Sequence, residues 1–232
     1  KHDFPMLSLA NTYSESEVLS FIERIRKETL DEPEFVCELK YDGVAISLKY
    51  EGGILKRAVT RGDGSQGDDV SANIKTIKSI PLRLRGGYPD TVEVRGEVIM
   101  TRSGFEKLNE NRKKQGMAEF ANPRNAASGS LKLQDSAEVA QRPLDCFLYG
   151  IASGTPIGKS HYEGLRQAKQ WGLKVSDFIA RCTTPQDIFS FINEWDKKRA
   201  ELDFDIDGVV IKLNDYLLQQ KLGNTAKSPR WA

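Results

Sequence analysis

The chain has 232 residues, 39% of them hydrophobic, and a formal net charge of +1 at pH 7. It can therefore bury a real core, as one large domain or two small ones. No apolar run approaches the roughly 20 residues of a membrane span, and the Lys-His-Asp-Phe start is not a signal peptide. The balanced charge does not indicate nucleic-acid binding, so any such contact needs a local basic patch. Candidates for that patch are Arg102, Lys107, Arg112, Lys113, Lys114, Arg124 and Lys132.

The first elements in chain order are predicted from caps and apolar periodicity. Ser14 and Glu17 form a capping box ahead of a helical apolar stripe, which predicts a helix over residues 14–30. A strand meander is then expected over 35–61, with turns at Asp42-Gly43 and Gly52-Gly53. The elements predicted next are a glycine-rich loop over 61–67, a short helix from Asp68 or Asp69 to about residue 78, and strands over 80–84 and 91–100.

The second half of the chain contains more helix signals. A helix is predicted over 102–115, and Asn122-Pro123 is a typical cap and first position for the next one. The remaining predictions are a strand over 144–151, a helix from Ser160 that Gly172 ends, a helix from Thr184-Pro185, and a strand over 208–213. Because most strands are joined by hairpins, we expect an α+β fold with mostly antiparallel sheets flanked by helices and no linker.

The cysteines and histidines do not indicate a reactive centre. Cys37, Cys146 and Cys182 are scattered and lack the paired spacing of a zinc site, so they are predicted to be reduced thiols. A reactive cysteine is disfavoured because no histidine lies nearby in sequence to activate one. His2 and His161 are predicted to be surface residues, which makes histidine acid–base chemistry an unfavoured mechanism.

Lys40 lies in the segment Glu38-Leu39-Lys40-Tyr41-Asp42-Gly43, at the end of a predicted strand. Side chains alternate between the faces of a strand, so Glu38, Lys40 and Asp42 share one face. An amine placed beside acceptors in this way can become a nucleophile. Considered alone, the segment is better explained as a surface strand that ends in an Asp-Gly hairpin turn.

Five further segments reverse that preference through their order and spacing. They are Thr60-Arg61-Gly62-Asp63-Gly64, Glu93-Val94-Arg95-Gly96-Glu97, Asn122-Pro123-Arg124-Asn125-Ala126-Ala127, Asp205-Ile206-Asp207-Gly208-Val209-Val210-Ile211-Lys212 and Pro229-Arg230-Trp231-Ala232. Together with the Lys40 segment, they resemble the adenylation (nucleotidyltransferase) domain of bacterial NAD-dependent DNA ligase over essentially the whole chain. The resemblance implies one domain over residues 1–232, with the nucleotidyltransferase fold of DNA ligases and mRNA-capping enzymes.

This resemblance implies a DNA ligase activity. Lys40 would attack the α-phosphorus of NAD, releasing nicotinamide mononucleotide and leaving AMP on the amine. The AMP would pass to the 5′-phosphate of a DNA nick, and the 3′-hydroxyl would displace it, sealing the nick in replication and repair. The implied partners are nicked duplex DNA, through the full-length protein, NAD or adenosine-like inhibitors, and Mg²⁺ with unspecified ligands. A monomer in the bacterial cytoplasm is expected.

The resemblance also implies roles for the residues around Lys40. Those implied to bind the cofactor are Ser8, Leu9, Glu38, Arg61, Glu97 and Lys212, and those implied to support them are Asp42, Asp207, Arg124 and Arg199. Among these, Glu38 would meet adenine, Glu97 would accept from ribose hydroxyls, and Asp207 would serve the metal or reaction centre. Structural alternatives remain: a solvent-facing turn arginine at Arg61, cross-strand or other ion pairs at Glu97 and the two supporting arginines, and an edge-strand lysine at Lys212.

The nucleophile must be neutral to attack. Deprotonating a free lysine at pH 7 costs about 4–5 kcal/mol, given its pKa of about 10.4. Neighbouring cations and burial help, whereas carboxylates oppose, so Glu38 and Asp42 taken alone would hinder Lys40. The resemblance resolves this if Glu38 is engaged with adenine and Asp42 with Mg²⁺ or phosphate, while Arg61 and Lys212 supply positive charge.

Three departures from the family pattern qualify the resemblance. Lys132 stands where arginine is frequent, so bidentate phosphate recognition is not expected there. The chain starts at the segment Pro5-Met6-Leu7-Ser8-Leu9, so the domain that binds nicotinamide mononucleotide is expected to be missing. It also ends just short of the last family motif and its lysine. We therefore expect the chain alone to bind adenosine-like ligands without sealing nicks.

Two other functions remain open. An ATP-dependent polynucleotide ligase or capping-type nucleotidyltransferase has Lys-x-Asp-Gly followed two residues on by arginine, whereas this chain has Val44-Ala45. A non-catalytic nucleic-acid-binding domain of the same fold is the second alternative. The neutral charge and the presence of Lys40 and Lys212 argue against that second alternative.

Overall fold

Two antiparallel sheets form the centre of the protein in a computed structural model that describes residues 1–153 and 156–232. A four-stranded sheet has the order β3-β2-β4-β5, and a three-stranded sheet has the order β6-β1-β7. The strands are β1 (Phe35–Tyr41), β2 (Val44–Glu51), β3 (Ile54–Thr60), β4 (Thr91–Met100), β5 (Leu144–Ala152), β6 (Ala180–Cys182) and β7 (Ile206–Leu213). The prediction of an α+β fold with antiparallel sheets is confirmed.

Helices cover both sheets. They are α1 (Glu15–Arg26), α2 (Ser71–Ile74), α3 (Arg102–Lys114), α4 (Pro123–Leu131), α5 (Ser136–Val139), α6 (His161–Gln170), α7 (Pro185–Lys198) and α8 (Tyr216–Leu222), with a 3₁₀ turn at Arg199–Glu201. The predicted caps are confirmed, since the side chains of Ser14, Asn122, Ser160 and Thr184 each accept from a backbone amide of the first turn. None of the described helices is long and apolar enough to cross a membrane.

The chain crosses from one sheet to the other at Asp42-Gly43. The predicted meander is therefore wrong at this point, because β1 and β2 belong to different sheets and do not pair with each other. Asp42 donates its amide to the Asp205 carbonyl at 3.1 Å, and a Cβ on Gly43 would lie 2.2 Å from the Val98 carbonyl oxygen. The dipeptide thus makes a crossover that needs glycine for close backbone approach.

Three further elements differ from their predictions: one strand does not form, and two helices are shorter than predicted. Residues 80–84 form no strand; Pro81 lacks an amide donor, and the segment instead runs along the β2–β3 hairpin, where Leu55 donates to the Leu82 carbonyl. The first helix ends at Arg26 rather than residue 30, and Leu30 is fully exposed, so burial of its side chain does not stabilise another turn. The short helix predicted from Asp68 or Asp69 to about residue 78 is α2, which has only one turn. Asp69 accepts from the Ser71 amide at its start.

Each sheet has its own core. One cluster packs the inner face of the four-stranded sheet against α2 and α6, and Trp171 just after α6 is 1% exposed within it. A second cluster packs one face of the three-stranded sheet against α1 and α7. Cys37, Leu39 and Tyr41 point into that second core, which leaves Glu38 and Lys40 on the other face of β1, as the strand alternation predicts.

Candidate active site

A cavity of about 1040 Å³ opens between the two sheets. Strands β1 and β7 line it from one sheet, and β2, β4 and β5 line it from the other, with the amino-terminal segment and α4 at its sides. The residues singled out from the sequence that line this cavity are Ser8, Leu9, Glu38, Lys40, Asp42, Arg61, Glu97, Arg124, Lys132, Asp207 and Lys212. The fold therefore brings together segments that lie up to about two hundred residues apart, and their side chains can act on one ligand.

Lys40 stands at an irregularity in the pairing of β1 with β7. The register shifts between Leu39 and Tyr41, and Gly208 on the facing strand has φ 125°, a conformation that favours glycine. The Lys40 amine lies 2.9 Å from an Asp207 carboxylate oxygen, and the two side chains are 36% and 61% exposed. The local distortion thus points an amine toward the cavity, beside a carboxylate that can accept its proton.

Glu38 is buried at the base of the cavity, and both of its carboxylate oxygens are bound. Lys212 Nζ lies 3.2 Å from Oε1, and His161 Nε2 lies 2.6 Å from Oε2. Burial raises the pKa of Glu38, but the Lys212 ammonium and His161 outweigh it, so this pKa lies below its ordinary value. Lys212 also donates to the Tyr149 carbonyl at 3.0 Å. Glu38 is therefore an ionised acceptor held away from Lys40.

The prediction that both histidines lie at the surface is wrong. His161 is 5% exposed and His2 is 8% exposed. His161 begins α6, where the Ser160 cap directs it inward, and His2 Nε2 lies 3.0 Å from the Arg61 carbonyl oxygen. Burial lowers the pKa of His161, so its imidazole is neutral at pH 7. Only the cap at Ser160 hinted at this position in the sequence, and nothing indicated Glu38 as the partner.

Glu97 is a half-buried carboxyl on β4 that faces the cavity. Burial raises its pKa to about 7, although the cations of Arg124 and Lys40 oppose the rise. Within residues 1–153 and 156–232, Glu97 forms no salt bridge, so the cross-strand ion pair considered from the sequence is not observed. The Gly43 backbone amide donates to this carboxyl, which keeps further lone pairs that can accept from hydroxyl donors of a ligand.

Exposed cations surround the opening of the cavity. Arg61 Nη1 lies 3.2 Å from Ser8 Oγ, and Arg124, at the start of α4, lies 3.4 Å from Asp42 Oδ1 with its side chain 58% exposed. Lys132, just after α4, is exposed at the same cavity. Exposed ion pairs contribute little to stability, so these side chains can exchange their present partners for an anionic ligand.

Arg199 lies outside the cavity lining. Its guanidinium donates to the Ile206 carbonyl, next to Asp207. Arg102 likewise binds Asp205 at 2.7 Å and the Leu202 carbonyl at 2.9 Å. These two arginines hold the approach to β7. Of the other cations in the basic patch considered from the sequence, Arg124 and Lys132 line the cavity, whereas Arg112 is stacked over a phenylalanine ring.

Metal ligands are sparse around the cavity. In the described part of the chain, no three side chains of His, Cys, Asp or Glu form a group that could enclose a metal ion. Asp42 and Asp207 do line the cavity, and each carboxylate has a single exposed cationic partner. Mg²⁺ is commonly held by one or two carboxylates together with substrate phosphates, and this donor set fits that arrangement.

Comparisons with known proteins agree with the motif order. Residues 1–232 match a family model described as the NAD-dependent DNA ligase adenylation domain. The chain is similar to the DNA ligase of Flavobacterium psychrophilum, with 54% identity over 233 residues, and to that of Phocaeicola vulgatus, with 55% over 232. Both alignments cover 100% of this chain and 35% of the relative. The chain thus spans about a third of the length of these relatives.

Among solved structures, the chain is similar to an ATP-dependent DNA ligase from bacteriophage T7 in complex with ATP. The sequence identity is 13% and the TM-score is 0.48, over 90% of this chain and 62% of the other.

Proposed function

Because this chain belongs to the family of NAD-dependent DNA ligase adenylation domains, we propose that its Lys40 takes an AMP group from NAD. In the full-length protein, the AMP then passes to the 5′-phosphate of a nick in duplex DNA, and the 3′-hydroxyl displaces it. The observation that carries the proposal is an amine 2.9 Å from a carboxylate, at a cavity of about 1040 Å³. The ATP-dependent alternative is not favoured, because the matching family is the NAD-dependent one.

The proposed step exchanges one bond to phosphorus for another and transfers one proton. The Lys40 amine gives its proton to Asp207 or to water, and its lone pair attacks the α-phosphorus of NAD. A nitrogen–phosphorus bond forms, and the pyrophosphate oxygen–phosphorus bond breaks, so nicotinamide mononucleotide leaves with that electron pair. The lysine product keeps the AMP reactive, since the amine becomes a good leaving group when it is protonated.

The surrounding side chains divide between the two ends of the nucleotide. Glu38 accepts from the base beside Ser8 and Leu9, and Lys212 holds that carboxylate in place. Glu97 accepts from the ribose hydroxyls. The burial of Glu38 at the cavity supports its assignment to the base, and Glu97, Ser8 and Leu9 line the same cavity.

The phosphate end meets the exposed cations. Arg61, Arg124 and Lys132 neutralise the phosphate charge, and Arg199 maintains the strand that carries Asp207. Asp42 and Asp207 would hold Mg²⁺ together with phosphate oxygens; when bound, the ion supplies Lewis-acid stabilisation of charge at phosphorus. Nicked duplex DNA is the proposed partner, and the bacterial relatives favour the cytoplasm as the compartment.

Label transfer tests this function. A full-length ligase in which this chain supplies the adenylation domain is incubated with Mg²⁺ and with either NAD or ATP labelled in the adenosine half. Protein-bound label should appear with NAD and not with ATP, and the Lys40→Ala variant should not acquire it. Lys56→Ala, at an exposed site outside the cavity, is the matched control. Labelling by ATP alone, or unchanged labelling of the Lys40 variant, would refute the proposal.

A further inference from the structure

His161 is a buried side chain at the cavity to which the proposed reaction assigns no task. Its Nε2 lies 2.6 Å from Glu38 Oε2, and the two side chains are only 6% and 5% exposed. We infer that His161 is a positioning residue: as a neutral donor it fixes the Glu38 carboxylate so that Glu38 accepts from the amino group of a purine. This inference rests on the proposed function, because it needs a nucleotide base beside Glu38.

Asn214 fixes the backbone that carries the imidazole. The His161 amide donates to the Asn214 carbonyl at 2.8 Å, and the next amide, of Tyr162, donates to Asn214 Oδ1 at 2.9 Å. Asn214 directly follows β7, and α6 packs against β5. The position of the ring is therefore set by two strands that line the cavity, and its contact with Glu38 on β1 adds a third.

The charges around the ring favour the neutral form. Burial lowers the pKa of His161, and the nearby Lys212 ammonium acts in the same direction, against Glu38. Two tyrosines line the same cavity: burial raises the pKa of Tyr149 above its ordinary value and that of Tyr216 to about 12, so both remain uncharged. A neutral imidazole facing an ionised carboxylate must carry its proton on Nε2 to donate.

This arrangement has a consequence for base selection. Each Glu38 oxygen already accepts one hydrogen bond, from Lys212 or from His161, and each retains a lone pair. An ionised carboxylate is only an acceptor, so it binds the amino group of adenine and repels the keto oxygen of hypoxanthine. Without His161, Oε2 loses its donor, and the carboxylate can rotate or take up a proton; a protonated carboxyl can donate to the keto group.

The test compares two nucleotides and two variants on the 232-residue chain. Affinities for AMP and for inosine monophosphate are measured by calorimetric titration on the wild type, His161→Leu and His161→Gln. Leucine removes the donor at similar volume, whereas the glutamine amide can return an N–H near the Nε2 position. We expect the wild type to prefer AMP, His161→Leu to lose that preference at least tenfold, and His161→Gln to stay within about threefold of the wild type.

The outcomes separate the inference from the proposed function. If the wild type binds AMP but His161→Leu keeps the full preference, the positioning role is wrong and the proposed function stands. If the wild type binds no AMP, both are wrong. Should the variants fail to fold, ¹⁵N NMR of the wild-type imidazole decides: a neutral ring protonated on Nε2 at pH 7 supports the inference, and a doubly protonated or Nδ1-protonated ring overturns it.

Discussion

The Lys40 amine and the Asp207 carboxylate are 2.9 Å apart across the shifted register of β1 and β7. The two residues are 167 positions apart in the chain, and both side chains are partly exposed. An exposed pair of this kind contributes at most about 1 kcal/mol to stability. Its importance therefore lies in where it holds the amine and in the proton that the carboxylate can accept.

Asp207→Asn should slow the reaction while leaving the stability of the fold almost unchanged. We expect the free energy of unfolding to change by less than about 0.5 kcal/mol and the rate of Lys40 adenylation in a full-length ligase to fall by at least about tenfold, because the amide cannot accept the proton. Asp177→Asn, which breaks the exposed Lys169–Asp177 pair, is the matched control. Equal adenylation rates in the Asp207 variant and the wild type would exclude a role in proton transfer.

Lys212→Met should destabilise the fold strongly. The substitution leaves the buried Glu38 carboxylate without its ammonium partner, and removing one member of a buried pair typically costs about 3–5 kcal/mol. Lys198→Met, which breaks an exposed helix pair with Glu194, should cost less than about 0.5 kcal/mol. Urea unfolding at pH 7 measures both, and similar losses in the two variants would contradict the described burial of Glu38.

Glu97→Gln should show a pH-dependent effect on stability. The folded protein raises the pKa of Glu97 from 4.5 to about 7, so the folded state holds this proton more tightly than the unfolded chain. Stability from this group is complete below pH 4.5 and is lost as the pH rises through about 7. Glutamine removes that loss, so the variant should gain about 2–3 kcal/mol relative to the wild type between pH 5 and pH 8. Urea unfolding at pH 5 and at pH 8 measures the free energy of unfolding of both proteins. The same difference between variant and wild type at the two pH values would contradict this prediction.

Gly43→Ala should disturb the crossover between the sheets. The new Cβ would lie 2.2 Å from the Val98 carbonyl oxygen, and the backbone there cannot yield cheaply. We expect a loss of about 2–3 kcal/mol. At Gly87, a Cβ would meet nothing within 4 Å, so Gly87→Ala is the control with little expected change. Equal thermal midpoints for both variants would rule out the tight contact.

Local signals in the sequence predicted local structure well. The caps at Asn122 and Thr184 depend on residues three positions apart, so the chain specifies them without reference to the rest of the fold. The alternation along β1 likewise predicted that Glu38 and Lys40 share a face. The order of the motifs along the chain indicated which residues line the cavity. No single segment carried that information, because only the whole set resembles the family.

What the sequence could not predict depends on contacts between distant segments. The Glu38–His161 bond joins residues 123 positions apart, and no periodicity or spacing marks such a pair. The same limit explains the error at Asp42-Gly43, where a hairpin turn and a crossover between sheets have the same local composition. Arg199 is the converse case: the resemblance implied a supporting role at the site, and its guanidinium donates to a backbone carbonyl outside the cavity lining.

The account is tested most directly by locating the nucleotide on the protein. A full-length ligase containing this chain is incubated with NAD and Mg²⁺, and its intact mass and proteolytic peptides are measured. We predict a mass gain of one adenylate group, released by acid, on the peptide that carries Lys40. A gain on any other side chain, or no gain with an intact fold, would contradict the central claim.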